Sequence, residues 1–338
     1  MNGPRPADDR PGLGPEAAIG GIGGIGGIGA IGAIGASGAR GEVDSPGRVG
    51  AGGTRPPRTI RLDLEFDGEA FEGWQFQPRG RSVQGVVEET LARILGAPHR
   101  VVGAGRTDAG VHAAGMVASF PTASTLSAEK IGRALEALLP DDVGLLAATE
   151  AAPEFHALRD ARWKWYRYTL HPSRSRRVAS RRTAWRVHYV LDIDAMGRAA
   201  SALVGAKDFA AMQASGSPRR STVRRVAAVR LVSEPPLVRI DVVADGFLYG
   251  MVRCMAGTLV DVGRGSRDPA SMEALLATRD RRLAGAAAPA PGLCLVAVGF
   301  AGDEPPPFID PSLKSLLESA SGAPDEVAAD RSPACPGS

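Results

Sequence analysis

Between Ile19 and Ile34 an isoleucine stands at every third position, separated only by glycine and alanine. Glycine costs about 1 kcal/mol relative to alanine in a helix interior, and it recurs here too often for a helix to propagate. The period contains no proline, so it does not read as collagen. The stretch carries no charge, which raises a membrane span, but the same glycines argue against one. No basic start followed by a continuous apolar core marks a signal peptide. Residues 1–58 are therefore expected to be a disordered Gly/Pro-rich tail. Residues 301–338 carry Pro305, Pro306 and Pro307 and seven acids against two bases, and read as a disordered acidic tail. A fold must then be built from residues 59–300.

Within those bounds the periodicities alternate. Residues 59–66 alternate polar and apolar, the pattern of a half-buried strand. Ser82 is placed to cap a helix over 83–95 that stops at Gly96, and Ser127 one over 128–139 that stops at Pro140. Residues 165–170 and 184–190 read as strands, and 194–204 as a helix ending at Gly205. Residues 223–232 and 238–244 read as paired strands joined through Pro235 and Pro236. Residues 247–262 place Met251, Met255 and Leu259 at helical spacing in an apolar run, so a buried helix is expected. Residues 293–300 make a closing strand. Strands adjacent in sequence, with helices in both halves, favour an α+β fold with largely antiparallel sheets over a doubly wound parallel one.

Charge is uneven along the chain. Residues 59–300 hold 32 basic and 25 acidic residues, although the whole chain is only +3. Ten Arg or Lys and one acid fall between Arg159 and Arg186, interleaved with Trp163, Trp165, Tyr166, Tyr168 and Trp185. Arg219, Arg220, Arg224 and Arg225 form a second cluster. Basic runs mixed with aromatics suit phosphate contact plus base stacking; a solvated charged face is the plainer alternative. Cys254, Cys294 and Cys335 and the five histidines show no metal-ligand spacing, and buried reduced thiols in a cytosolic protein are expected. Without a P-loop or dinucleotide fingerprint, no cofactor is expected.

The run from Gly103 to Ala113 sets one carboxylate, Asp108, among glycines, with Arg106 two positions before it. Apolar residues flank it on both sides, so the stretch reads as strand, loop, strand. Such a loop can hold an acid at the floor of a cleft; equally, Asp108 could cap a turn and Arg106 pair with it.

AGRTDAGVHAAG (104–115) resembles the catalytic signature of the tRNA pseudouridine synthase A family. Seven further segments follow the family's order. They are FDGEAFEGWQFQ (66–77), SVQGVVEETLARI (82–94), LPDDV (139–143), FHALRDARWKWYRYTL (155–170), GAKDFAAM (205–212), DGFLYGMVRCMAGTLVDVG (245–263) and APAPGLCLVAVGF (288–300). The resemblance implies two α/β halves, 59–165 with the catalytic loop and 166–300, flanked by helices around a central RNA-binding cleft. It implies a cytoplasmic homodimer without a cofactor, acting on uridines at positions 38, 39 and 40 in the anticodon stem-loop of tRNA. Asp108 matches the catalytic aspartate, Arg253 the arginine that pairs with it, and Tyr166 the active-site tyrosine that stacks on the target base or helps remove the proton at C5. Arg106 matches the position that fills the space left by the flipped nucleotide. His156 is placed to order the cleft and Gln75 to touch RNA. A nearby cation should favour the ionised form of Asp108.

The chain departs from the family at Met116, Leu158, Gly250, Cys254 and Cys294, none of them one of the three catalytic positions. Two other readings compete. An RNA-binding protein or chaperone of the same fold would not need Asp108, Tyr166 and Arg253 together. An aspartic hydrolase needs paired carboxylates, and Thr107-Asp108-Ala109-Gly110 has no second copy.

Overall fold

The computed structural model describes residues 57–214 and 221–318. The N-terminal tail up to residue 56, Arg219 and Arg220 of the second basic cluster, Cys335 and the rest of the acidic tail lie outside the described residues.

In chain order the elements are β1 (Arg58–Phe66), α1 (Val83–Leu95), β2 (Val102–Gly103), β3 (His112–Thr122), α2 (Ala128–Leu138), β4 (Val143–Ala151), β5 (Trp163–Pro172), β6 (Trp185–Val187), α3 (Ile193–Ser201), β7 (Gly205–Asp208), β8 (Val223–Glu234), β9 (Leu237–Ala244), α4 (Met251–Gly263), α5 (Ser271–Thr278), β10 (Leu293–Gly299) and α6 (Ser315–Glu318). The strands form one ten-stranded sheet ordered β4-β1-β3-β10-β5-β9-β8-β7, with β2 added to β3 and β6 to β5. Pairing is antiparallel except at β3–β10 and β5–β6. The fold is thus the expected mixture of helices with a largely antiparallel sheet. Its two halves are joined at the centre by the last strand, β10, which lies between β3 and β5.

Local chemistry accounts for the helix ends. Ser82 Oγ accepts from Gly85 N–H and Gly96 closes α1 at φ 72°; Ser127 Oγ accepts from Lys130 N–H at the start of α2. Each such N-cap contributes about 1 kcal/mol. Helix α4 starts at Met251 rather than at Phe247, because Gly250 takes a left-handed φ of 66° and turns the chain just before it.

Alternation along the strands gives the sheet two unlike faces. Ile60, Leu62 and Leu64 of β1 and Tyr166, Tyr168 and Leu170 of β5 join the main core, against which α1, α2, α3 and α4 pack. Full burial of a large apolar side chain contributes about 1.5–3 kcal/mol, and Trp74, Phe120 and Phe209 are all below 2% exposed. On the other face Trp163, Ala227 and Val243 form a separate cluster with Ile309 and Leu317. Composition assigns residues 301–318 to the tail, and the structure corrects that assignment. Pro311–Leu313 makes a 3-10 turn, α6 follows, and Phe308 packs edge-on to Trp165 at 5.3 Å. The apolar residues Phe308, Ile309, Leu313 and Leu317 find a sheet face to cover, which proline and acid content do not reveal.

Candidate active site

Strands β2 and β3 hold the ends of the glycine-rich loop. Ala104 N–H donates to Val117 O (2.7 Å), and the loop leans on the segment after β1: Trp74 N–H donates to Thr107 O (3.2 Å) and Gly110 N–H to Phe71 O (3.1 Å). Trp74 lies fully buried beneath Gly103, where a Cβ would collide with its indole ring. Val111 N–H closes a turn onto Asp108 O (3.1 Å), with Gly110 at φ 75°, a conformation that glycine adopts without strain. The backbone therefore presents Asp108 in one orientation. The Thr107 hydroxyl is buried with no hydrogen-bond partner among the described residues.

Asp108 and Arg253 come from elements 145 residues apart and meet across the sheet centre. Arg253 Nη1 donates to Asp108 Oδ2 at 3.2 Å, and the two side chains are 24% and 14% exposed, respectively. Arg253 Nε donates to Ala288 O at 2.7 Å. Burial pushes the Asp108 carboxyl above the ordinary carboxylate range, and the hydrogen bond and charge of Arg253 pull only part of the way back. The arginine does favour the ionised form, as expected, but desolvation outweighs it.

Tyr166 projects from β5 on the core face, 7% exposed, its ring edge-on to Phe247 at 5.1 Å. Burial, then the charge of Asp108, raises its phenol well above the usual tyrosine range. Tyr168, two residues on and on the same face, is fully buried, and its hydroxyl donates to Pro289 O at 2.7 Å. Arg106 is exposed, two residues before Asp108 in the loop. A Cβ on Gly105 would be in ordinary contact with the Lys164 side chain.

The other expected site residues are engaged elsewhere. Gln75 Nε2 donates to Gln84 Oε1 (2.8 Å), so Gln75 is tied to buried Gln84 of α1 at the rim of the loop. His156 bonds within its own turn: its N–H donates to Asp160 Oδ2 (2.8 Å) and its Nδ1 accepts from Arg159 N–H (3.1 Å). Of the departures from the family pattern, Met116 and Cys254 are fully buried. Cys294 is half-buried, less enclosed than the buried thiol expected there, yet the desolvation it does undergo pushes its thiol up to about 11.

Sequence reasoning gave His112 no role and did not show that it anchors the basic segment 159–186. His112 Nδ1 accepts from Gly68 N–H (3.1 Å) and its Nε2 lies 2.7 Å from Arg182 O, while Arg182 Nε pairs with Glu69 at 2.5 Å. The arginine-rich stretch after β5 is thereby pinned beside the catalytic loop. The signal was His112 lying inside the loop motif itself. Among the described residues, the grooves lined by Val190, Leu191 and their neighbours contain none of Asp108, Tyr166 or Arg253.

A part-buried acid held by an arginine and flanked by a buried tyrosine defines a site for chemistry at a single carboxylate. The family profile described as tRNA pseudouridine synthase matches residues 64–163 and 199–301, which include Asp108 and Arg253, while Tyr166 falls between the two matched stretches. The tRNA pseudouridine synthase A of Pelobacter propionicus is 49% identical over 243 residues, covering 72% of this chain and 100% of that protein. That of Syntrophotalea carbinolica is 48% identical over 242 residues (72% and 96%), and that of Moorella thermoacetica 46% over 243 (71% and 99%). The chain belongs to the tRNA pseudouridine synthase family.

Proposed function

We propose that this chain isomerises uridine to pseudouridine in the anticodon stem-loop of tRNA, at positions 38, 39 and 40, with Asp108 as its acting carboxylate. Membership of the family makes the chain an isomerase that acts on tRNA. The reaction breaks the bond from ribose C1′ to uracil N1 and forms one from C1′ to C5; C5 gives up its proton and N1 gains one. In our reading Asp108 serves as nucleophile, or as base toward the sugar, while the base detaches and turns.

The observation that carries this reading is the Asp108–Arg253 pair: partly desolvated, held on one oxygen, with no partner on the other among the described residues. A carboxylate in that state is more reactive than a solvated one, and Arg253 keeps it from being lost to protonation. Tyr166 is read as the surface on which the target base stacks. Its raised phenol keeps its proton in the resting site, which favours stacking over removal of the C5 proton. A uridine must leave its stack to reach this depth, at a cost of a few kcal/mol, and Arg106 is read as the residue that fills the vacancy. Gln75 and His156 are read as supports of the rim of a cleft between residues 59–165 and 166–300. Residues 159–186 supply cations for the RNA backbone. A cytoplasmic homodimer follows from the family resemblance, and light scattering on the purified chain tests the dimer.

The decisive test is Asp108→Asn with tRNA labelled with tritium at uracil C5. Tritium release should cease while tRNA binding stays within about threefold of wild type. Turnover at the wild-type rate would remove Asp108 from the chemistry.

A further inference from the structure

The segment from Gly285 to Gly292, between α5 and β10, touches both Arg253 and the catalytic loop, and its last five residues open the family segment 288–300. Ala288 O accepts Arg253 Nε (2.7 Å), and Ala288 N–H donates back to Arg253 O (3.0 Å). Ala290 lies against Gly110 of the catalytic loop, 3.2 Å from where a Cβ would stand. The segment is pinned on two sides. On α4, Gly257 lies so close to Ala286 O that no side chain fits, and Thr258 Oγ1 accepts Gly285 N–H (3.0 Å) while donating to Cys254 O (2.8 Å). On β5, the Tyr168 hydroxyl donates to Pro289 O (2.7 Å), and a Cβ on Gly292 would stand 2.6 Å from the Tyr168 ring.

We infer that Tyr168 is a positioning residue: by fixing the Pro289 carbonyl it fixes the neighbouring Ala288 carbonyl, which in turn sets the rotation of the Arg253 guanidinium toward Asp108. The reasoning is geometric. A guanidinium is a rigid planar fork, so anchoring Nε determines where Nη1 points. Arg253 reaches Asp108 through Nη1 at 3.2 Å, near the outer limit for such a bond. A small swing of the 288–289 peptide would break it. Thr258 holds the far end of the same segment, three residues from Ala288, and acts more weakly. Burial keeps the Tyr168 phenol protonated, so it stays a donor across the working pH range.

This inference rests on Asp108 and Arg253 being the catalytic pair. It is tested on the full chain by Tyr168→Phe, which removes one hydroxyl and keeps the buried ring. The kcat for tritium release should fall about tenfold, with KM for tRNA within about twofold. The acid limb of the kcat profile should move to higher pH, because Asp108 loses part of the cation that opposes its protonation. In an Arg253→Lys background, which has already lost the Nε contact, Tyr168→Phe should add less than about twofold. Thr258→Val, tested alongside, should lower kcat about threefold with the same direction of pH shift, and Thr258→Ser should restore wild-type values. If Tyr168→Phe does not fold, the Thr258 pair decides the matter alone. A wild-type kcat and acid limb for Tyr168→Phe, or full additivity with Arg253→Lys, would overturn the inference. An active Asp108→Asn control would instead overturn the underlying catalytic reading, so the two failures are distinct.

Discussion

Strand β5 carries a carboxylate–arginine pair near each of its faces, and the two are built differently. On the back, Asp241 is 1% exposed and accepts three hydrogen bonds, from Trp165 Nε1 (3.0 Å), Arg167 Nε (2.7 Å) and Arg167 Nη2 (3.1 Å). On the core face, Asp108 accepts from Arg253 alone among the described residues, while Arg253 Nε is committed to a backbone carbonyl. The first pair is bidentate and saturated, the geometry in which a buried ion pair is most stable. The second leaves one carboxylate oxygen without a partner among the described residues. The difference separates a carboxylate that holds a sheet together from one that can meet a substrate.

Exchanging the damage should break the comparison cleanly. Asp108→Asn should lose at least roughly a thousandfold in turnover while melting no lower than wild type at neutral pH. Asp241→Asn should leave turnover within about threefold and lose about 2–3 kcal/mol of stability, less than for a fully buried pair because Arg167 can still reach water. Denaturant titration and tritium release on both variants check this, and a catalytic collapse in Asp241→Asn would erase the distinction. Arg253→Lys keeps the charge but loses the fork, so kcat should fall about tenfold with tRNA affinity little changed; an unchanged kcat would mean that charge alone suffices.

The smallest effect is the most diagnostic. Asp108 binds its proton more readily in the folded chain than in the unfolded one, so its contribution to stability declines as pH rises from the ordinary value of 3.8 through its raised folded value. Above that window the ionised group opposes folding, and below it the opposition vanishes. Relative to wild type, Asp108→Asn should melt slightly higher at pH 7, with the difference disappearing below about pH 3.8. For Asp142 the sign is reversed. Its hydrogen bond to Arg81 holds its carboxyl below the usual range, so it stabilises above the ordinary value and loses that contribution as pH falls through its folded pKa. Parallel melting curves of Asp108→Asn and Asp142→Asn across pH 3–7 should therefore diverge in opposite directions.

Legibility in the sequence followed the range of the interaction. Helices α1 and α2 and strand β1 were readable because their caps and alternation are local. Strand β4, half-exposed with a register shift where it pairs with β1, shows no clean alternation. Helix α5 is eight residues long and has no side-chain cap. Both were missed for those reasons. In the site, Asp108 stood out as the one acid in a glycine-rich loop, but its pairing with Arg253 came only from resemblance. Nothing in residues 284–292, mostly alanine, glycine and proline, signalled that their carbonyls orient that arginine.

What the chain's own order of residues determined was where elements start and stop, which loop carries an acid, and that a basic, aromatic-rich stretch follows it. Only the tertiary structure decided that β10 enters between β3 and β5, that Asp108 is partly dehydrated, and that residues 301–318 cover a sheet face. Caps, turns and periodicity act over a few residues and leave a mark in sequence. Desolvation and the meeting of groups 145 residues apart depend on how the whole sheet closes, and no local pattern encodes them.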